Sequence, residues 1–194
     1  MILLTAIATG LLAGWGYARW QGVAWQSPVF RATGLVALGF LPQLLAFYMP
    51  FTRKLLTDEV ASLCLIASQI LLLVFTALNI RNPGMPLLAF GLACNLVVIL
   101  ANGGFMPLST ATASRLVSPT VLDRLVVGER VSSASKDVLL QESSIRLPWL
   151  ADRFLPPQDF PYRFAFSLGD VFIAVGTFWI LAHGKYSDSF ISFI

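Results

Sequence analysis

The sequence predicts an all-α membrane protein, a bundle of five transmembrane helices with an extramembrane cap loop between helices 4 and 5. Three observations predict it. Charged residues make up 12% of the chain and hydrophobic residues 57%, whereas an ordinary soluble domain carries about 25% charge. Mean hydropathy is +0.77. Apolar stretches near the ~20 residues that a bilayer crossing needs recur at 2–18, 29–49, 60–80, 85–101 and 165–183, with a polar loop over 103–163. Together they make 1–194 a single integral membrane domain.

The first stretch lacks the basic start and small-residue cleavage site of a secretory signal, so it is read as a retained helix. Gly10 and Gly14 give it a face that a neighbouring helix can approach closely. Trp15, Tyr17, Trp20 and Trp25 follow, as aromatics do at a headgroup boundary. The second stretch holds Arg31 near its start and is interrupted by Pro42, which removes a backbone donor and kinks a helix. Gln43 beside it is expected to bond to another helix. In the third, Ser62, Gln69 and Thr76 recur every seven residues and share one face, expected to pack on protein because polar groups facing lipid cost free energy. Arg81-Asn-Pro-Gly84 is a turn by composition. Pro86 then sits in the first turn of the fourth stretch, where proline is tolerated.

The fourth stretch contains Asn95 and ends at Asn102-Gly103-Gly104, residues suited to capping a helix C-terminus. In the loop, Ser118-Pro119 has the form of a helix start, 135–142 is a weaker helix candidate, and Ile145 to Pro157 reads as an ordered, proline-broken cap. The fifth stretch opens at Ser167, with Asp170 three residues on. That is capping-box spacing, with Asp in place of Glu or Gln, and it places the acid in the first turn of a helix running from Leu168 to His183. Asp170 is nonetheless the one acid inside an apolar stretch, and an intramembrane carboxylate also suggests a ligand or proton site. Asn95, Asn102, Gly103, Gly104, Ser167 and Asp170 are therefore the candidate polar site.

Several chemistries lack their residues. A single histidine and two isolated cysteines, Cys64 and Cys94, form no metal-ligand cluster. His183, at a helix C-terminus, reads as a dipole-complementing residue rather than a haem or pigment ligand. There is no phosphate-binding glycine motif and no serine-hydrolase elbow. A formal charge of +3 without a basic run argues against nucleic-acid binding. No catalytic residues, cofactor or metal are expected.

The elements Ala101-Asn-Gly-Gly-Phe-Met-Pro107, Ile145-Arg-Leu-Pro-Trp-Leu-Ala-Asp152 and Phe166-Ser-Leu-Gly-Asp170 resemble a bacterial family of multi-pass membrane proteins of unknown function, and the resemblance covers nearly the whole chain. Where that family often carries a basic residue, this chain has Phe105, which weakens any anion contact there. The family's basic first link and C-terminus imply an inner (plasma) membrane protein with its N-terminus and long loop outside and its C-terminus cytoplasmic. The expected partners are membrane lipid and other membrane protein subunits. The function expected is a non-enzymatic scaffold or accessory subunit of a membrane assembly, such as a respiratory or photosynthetic one. The alternative is a small-molecule or lipid-binding carrier using the polar site.

Overall fold

The computed structural model describes residues 2–157, 159–160 and 162–187. Its apolar stretches form α1 (Ile2–Gln21), α2 (Gly34–Gln43) with a π-helical turn at Leu44–Tyr48, α4 (Asp58–Leu78), α5 (Met85–Ala101) and α8 (Leu168–Ala182). A single turn, α3 (Thr52–Leu55), links the second stretch to α4. The wide turn after Pro42 closes through the Met49 amide on the Leu44 carbonyl at 2.9 Å, so the proline-linked irregularity is a local widening of the helix.

Packing runs α2 on α4, α4 on α5, α5 on α8 and α8 on α1, an open row with α2 and α1 at its ends. Gly39 meets Leu72 and Gln43 meets Ser68, and Gly91 and Gly84 meet Gly169 and Gly176, so α2/α4 and α5/α8 are antiparallel. Gly10 meets Phe178 and Gly14 meets Leu181, so α1 runs parallel to α8. The Gly10/Gly14 face thus receives α8. Gln43 Nε2 donates to Ser68 Oγ at 2.6 Å. Of the seven-residue stripe, Gln69 and Thr76 are buried; Gln69 Oε1 has no hydrogen-bond partner among the described residues.

The structure departs from the expected fold class in two ways. Among the described residues only α1 and α4, at 20 and 21 residues, are long and apolar enough to cross a membrane by length and composition; Gly34–Tyr48, Met85–Ala101 and Leu168–Ala182 are apolar but shorter. The second stretch starts late because Asn79 holds the Arg31 backbone and Ala32 takes φ +52, which no α-helix accommodates. The last starts at Leu168 because Ser167 is its N-cap.

The fold is also not purely helical. β1 (Ala24–Gln26) pairs antiparallel with β4 (Lys185–Ser187), and β2 (Met106–Ser109) pairs parallel with β3 (Asp137–Leu140). The helix expected at 135–142 is therefore mostly strand: a short apolar run is ambiguous in isolation, and pairing with β2 decides it. Between β2 and β3 lie α6 (Thr110–Leu116) and α7 (Pro119–Leu122), the latter starting at Ser118-Pro119 as expected but lasting one turn. A 3₁₀ turn, Glu142–Ser144, follows β3. Asp152 bridges the free side of β2 at Leu108, and Phe154 bridges Phe166. The main core lies where this cap meets the row, with Leu65, Val98, Ile99, Met106 and Leu150 all at most 3% exposed.

Candidate functional site

Asn95, Ser167 and Asp170 come together where α5 and α8 cross. The Ser167 amide donates to Asp170 Oδ2 and the Asp170 amide to Ser167 Oγ, both at 3.0 Å, completing the capping box. Asn95 Nδ2 donates to Asp170 Oδ1 at 3.0 Å, and Ser167 Oγ donates to Asn95 Oδ1 at 2.9 Å. Each polar atom in this closed ring satisfies another, which matters because Asn95 and Ser167 are at most 2% exposed and an unpaired buried group costs about 1–3 kcal/mol. Glycines bring the helices close enough to form it. A Cβ on Gly91 would lie 2.5 Å from the Gly169 carbonyl, and one on Gly169 would strike Asn95 Oδ1.

Asn102, Gly103 and Gly104 do not join this ring. Asn102 is the C-cap of α5, and Gly103 and Gly104 take φ +81 and +90. The Gly104 amide reaches the Ile99 carbonyl at 2.8 Å, the long bond of a Schellman cap. Asn102 Nδ2 donates to the Val98 and Arg146 carbonyls, both at 2.8 Å, and its Oδ1 accepts from the Arg146 amide at 2.9 Å. Asn79, the C-cap of α4, makes the same three bonds to Phe75 and Arg31. In both clasps the residue after the arginine, Ala32 or Leu147, has positive φ. Two asparagines at opposite ends of the row thus fasten two Arg-containing turns.

A second cluster adjoins the ring. Lys136, Asp137 and Asp152 meet through β2, which pairs with Asp137 at Met106 and with Asp152 at Leu108. Asp152 is 3% exposed. Its Oδ1 and that of Asp137 are buried with no hydrogen-bond partner among the described residues. Burial pushes the Asp152 carboxyl well above the ordinary carboxylate range, and the neighbouring Asp137 charge pushes it further. Burial also raises Asp137, against the opposing pull of Lys136 and the Ser135 hydroxyl. For Lys136, burial pulls the ammonium down, but the charges of Asp170, Asp152 and Asp137 outweigh it and raise the group overall. Neighbouring buried carboxyls disfavour each other's ionisation. A raised carboxyl makes the native state bind more protons than the unfolded one. The stabilisation is therefore present below about pH 3.9 and is lost as pH rises through the folded value. The cap should melt lower at pH 8 than at pH 5. Asp152→Asn, which mimics the protonated acid, should flatten that dependence in thermal melts.

Sequence reasoning missed this cluster because strand pairing, not spacing, assembles it. One signal was available: Asp152 closes the element beginning at Ile145. Arg130 was also missed. Its side chain, 6% exposed, donates from Nη1 to Asp58 Oδ1 at 2.8 Å and from Nε and Nη2 to the Ser135 and Ser133 carbonyls. It lies between the Phe47 and Phe105 rings, 5.2 and 5.1 Å from their centroids. Phe105 thus serves as a stacking surface for a cation.

Among the described residues no group of three or more His, Cys, Asp or Glu could hold a metal ion. The model of a family of unknown function, DUF5317, matches residues 28–182. No curated protein and no solved structure matches the chain.

Proposed function

The chain belongs to the DUF5317 family, a family of unknown function, and from that premise we propose that it is a five-crossing protein of the inner membrane acting as a non-enzymatic scaffold or accessory subunit. The observation that carries this reading is the open row itself. Within the apolar windows of α1 and α4 only 22% and 33% of residues are buried, where a core helix of a soluble protein would be mostly covered. Leu12, Phe40, Leu63, Ile70, Phe90 and Val97 are all at least 47% exposed on it, and a lipid bilayer or apposed membrane helices would cover them.

The antiparallel order makes α2, α5 and α8 natural crossings beside α1 and α4. Fifteen helical residues, as in α8, span about 22 Å against a ~30 Å hydrocarbon core. The apolar residues flanking α8 and the α2 helix, and local bilayer thinning, would make up the difference. The end formed by 22–33, 79–84 and 183–187, with the last turn of α1, carries Arg19, Arg31, Arg81 and Lys185 and, among the described residues, no acid. The positive-inside rule favours that end as cytoplasmic, with the N-terminus and cap outside. Polar side chains within the row bond to one another, as Gln43 does to Ser68 and Asn95 to Asp170, which favours a packed scaffold.

Mild-detergent purification followed by mass spectrometry should recover stoichiometric membrane-protein partners. A lone protein retaining a small molecule other than bilayer lipid would instead favour the carrier reading, with the 190 Å³ cavity lined by Gln43, Phe47, Tyr48 and Lys136 among others as the first place to look.

A further inference from the structure

At the end of the row that carries Arg31 and Arg81, a cavity of about 500 Å³ is lined by Val29, Arg31, Arg81, Asn82 and the last residues of α4. Both arginines are exposed, and among the described residues neither guanidinium has a hydrogen-bond or ion-pair partner. Arg130, by contrast, uses its guanidinium on three protein groups. The position of Arg31 is fixed all the same, because Asn79 holds its amide at 2.7 Å and its carbonyl at 2.9 Å. That leaves the side chain free for a ligand on an anchored backbone. The rim is apolar: Val29, Leu78 and Ile80 are 72%, 49% and 44% exposed. Two unpaired guanidiniums suit the oxygens of a phosphate, and the apolar rim beside them suits acyl chains.

We propose that this cavity binds the phosphodiester headgroup of an anionic phospholipid, an inference that rests on the five-crossing reading. A free phosphate shares the charge but has no use for Val29, Leu78 and Ile80. A zwitterionic lipid shares the chains but brings a cation towards Arg31 and Arg81.

The test reconstitutes the full chain into phosphatidylcholine nanodiscs containing a minor fraction of phosphatidylglycerol, and reads retained lipid by native mass spectrometry. The wild type should enrich phosphatidylglycerol roughly tenfold, a preference of about 1.4 kcal/mol. Arg31→Gln/Arg81→Gln should lose the enrichment while keeping the wild-type melting temperature, because the Asn79 clasp uses only the Arg31 backbone. Arg115→Gln/Arg124→Gln, at the opposite end, should keep it. Equal enrichment by the Arg31/Arg81 variant overturns the site. So does complete displacement of the lipid by inorganic phosphate, which would assign the cavity to the free anion. A chain that enters the discs without discriminating between lipids contradicts the lipid site alone, whereas one that never enters them contradicts the membrane reading itself.

Discussion

Leucine at Gly169 should destabilise the protein by about 3–5 kcal/mol and separate α5 from α8. Its Cβ would strike Asn95 Oδ1 and lie 2.8 Å from the Gly91 carbonyl. The first contact displaces the side chain that pairs with both Asp170 and Ser167. The second is with backbone, which cannot rotate away. Overpacking alone costs about 1–3 kcal/mol, and breaking the hydrogen-bond ring adds a further ~1–3 kcal/mol. Gly16→Leu is the control: a Cβ there has nothing within 4 Å, and an open surface position changes stability by less than about 0.5 kcal/mol. Thermal unfolding in mild detergent compares the two. Equal melting temperatures would mean that the glycine crossing does not hold the row together.

The second large effect is expected at Arg130, whose truncation to alanine should cost about 3–5 kcal/mol and release the cap from the helices. The ion pair itself contributes little, because Asp58 is 60% exposed and a surface pair is worth about 0–1 kcal/mol. The main contribution comes from the bonds to the Ser133 and Ser135 carbonyls and the stacking on Phe47 and Phe105. Charged hydrogen bonds are worth about 1.5–3 kcal/mol each and cation–π contacts about 0.5–2 kcal/mol. Asp58→Asn should therefore be mild. Arg130→Lys should recover less than half of the loss, since an ammonium lacks the planar fork that reaches two carbonyls while staying over two rings. Limited proteolysis within 123–136 should accelerate for Arg130→Ala and stay slow for Asp58→Asn.

Much of the helical part of the fold was legible in the sequence, because it depends on short-range signals. Ser167 and Asp170 stand at capping-box spacing, and the structure forms both reciprocal bonds. Asn102 and Gly103 have the composition of a helix end and make one. Gly10 and Gly14 mark a close-approach face, and α8 occupies it. The candidate site was half legible: Asn95, Ser167 and Asp170 converge, while Asn102 is drawn off to hold Arg146, a contact no local pattern encodes. The errors also have local causes. Arg31 lies in an apolar stretch that reads as helix, yet the asparagine that holds it outside the helix is far along the chain at position 79. Asp137-Val-Leu-Leu140 carries no decisive periodicity and becomes strand by pairing with Met106–Ser109. That pairing assembles Lys136, Asp137 and Asp152, so the cluster could be seen only after the strands were placed.

The five-crossing topology is tested most directly by cysteine accessibility. Single cysteines at Ser27, Lys54, Pro83 and Ser133, in a chain with Cys64 and Cys94 replaced by alanine, would be labelled in intact cells stripped of their outer barrier with a membrane-impermeant maleimide. Five crossings predict that Lys54→Cys and Ser133→Cys react from outside, and that Ser27→Cys and Pro83→Cys react only after permeabilisation. If only α1 and α4 cross, Ser27→Cys groups with Lys54→Cys and Pro83→Cys with Ser133→Cys, and that result would contradict the account.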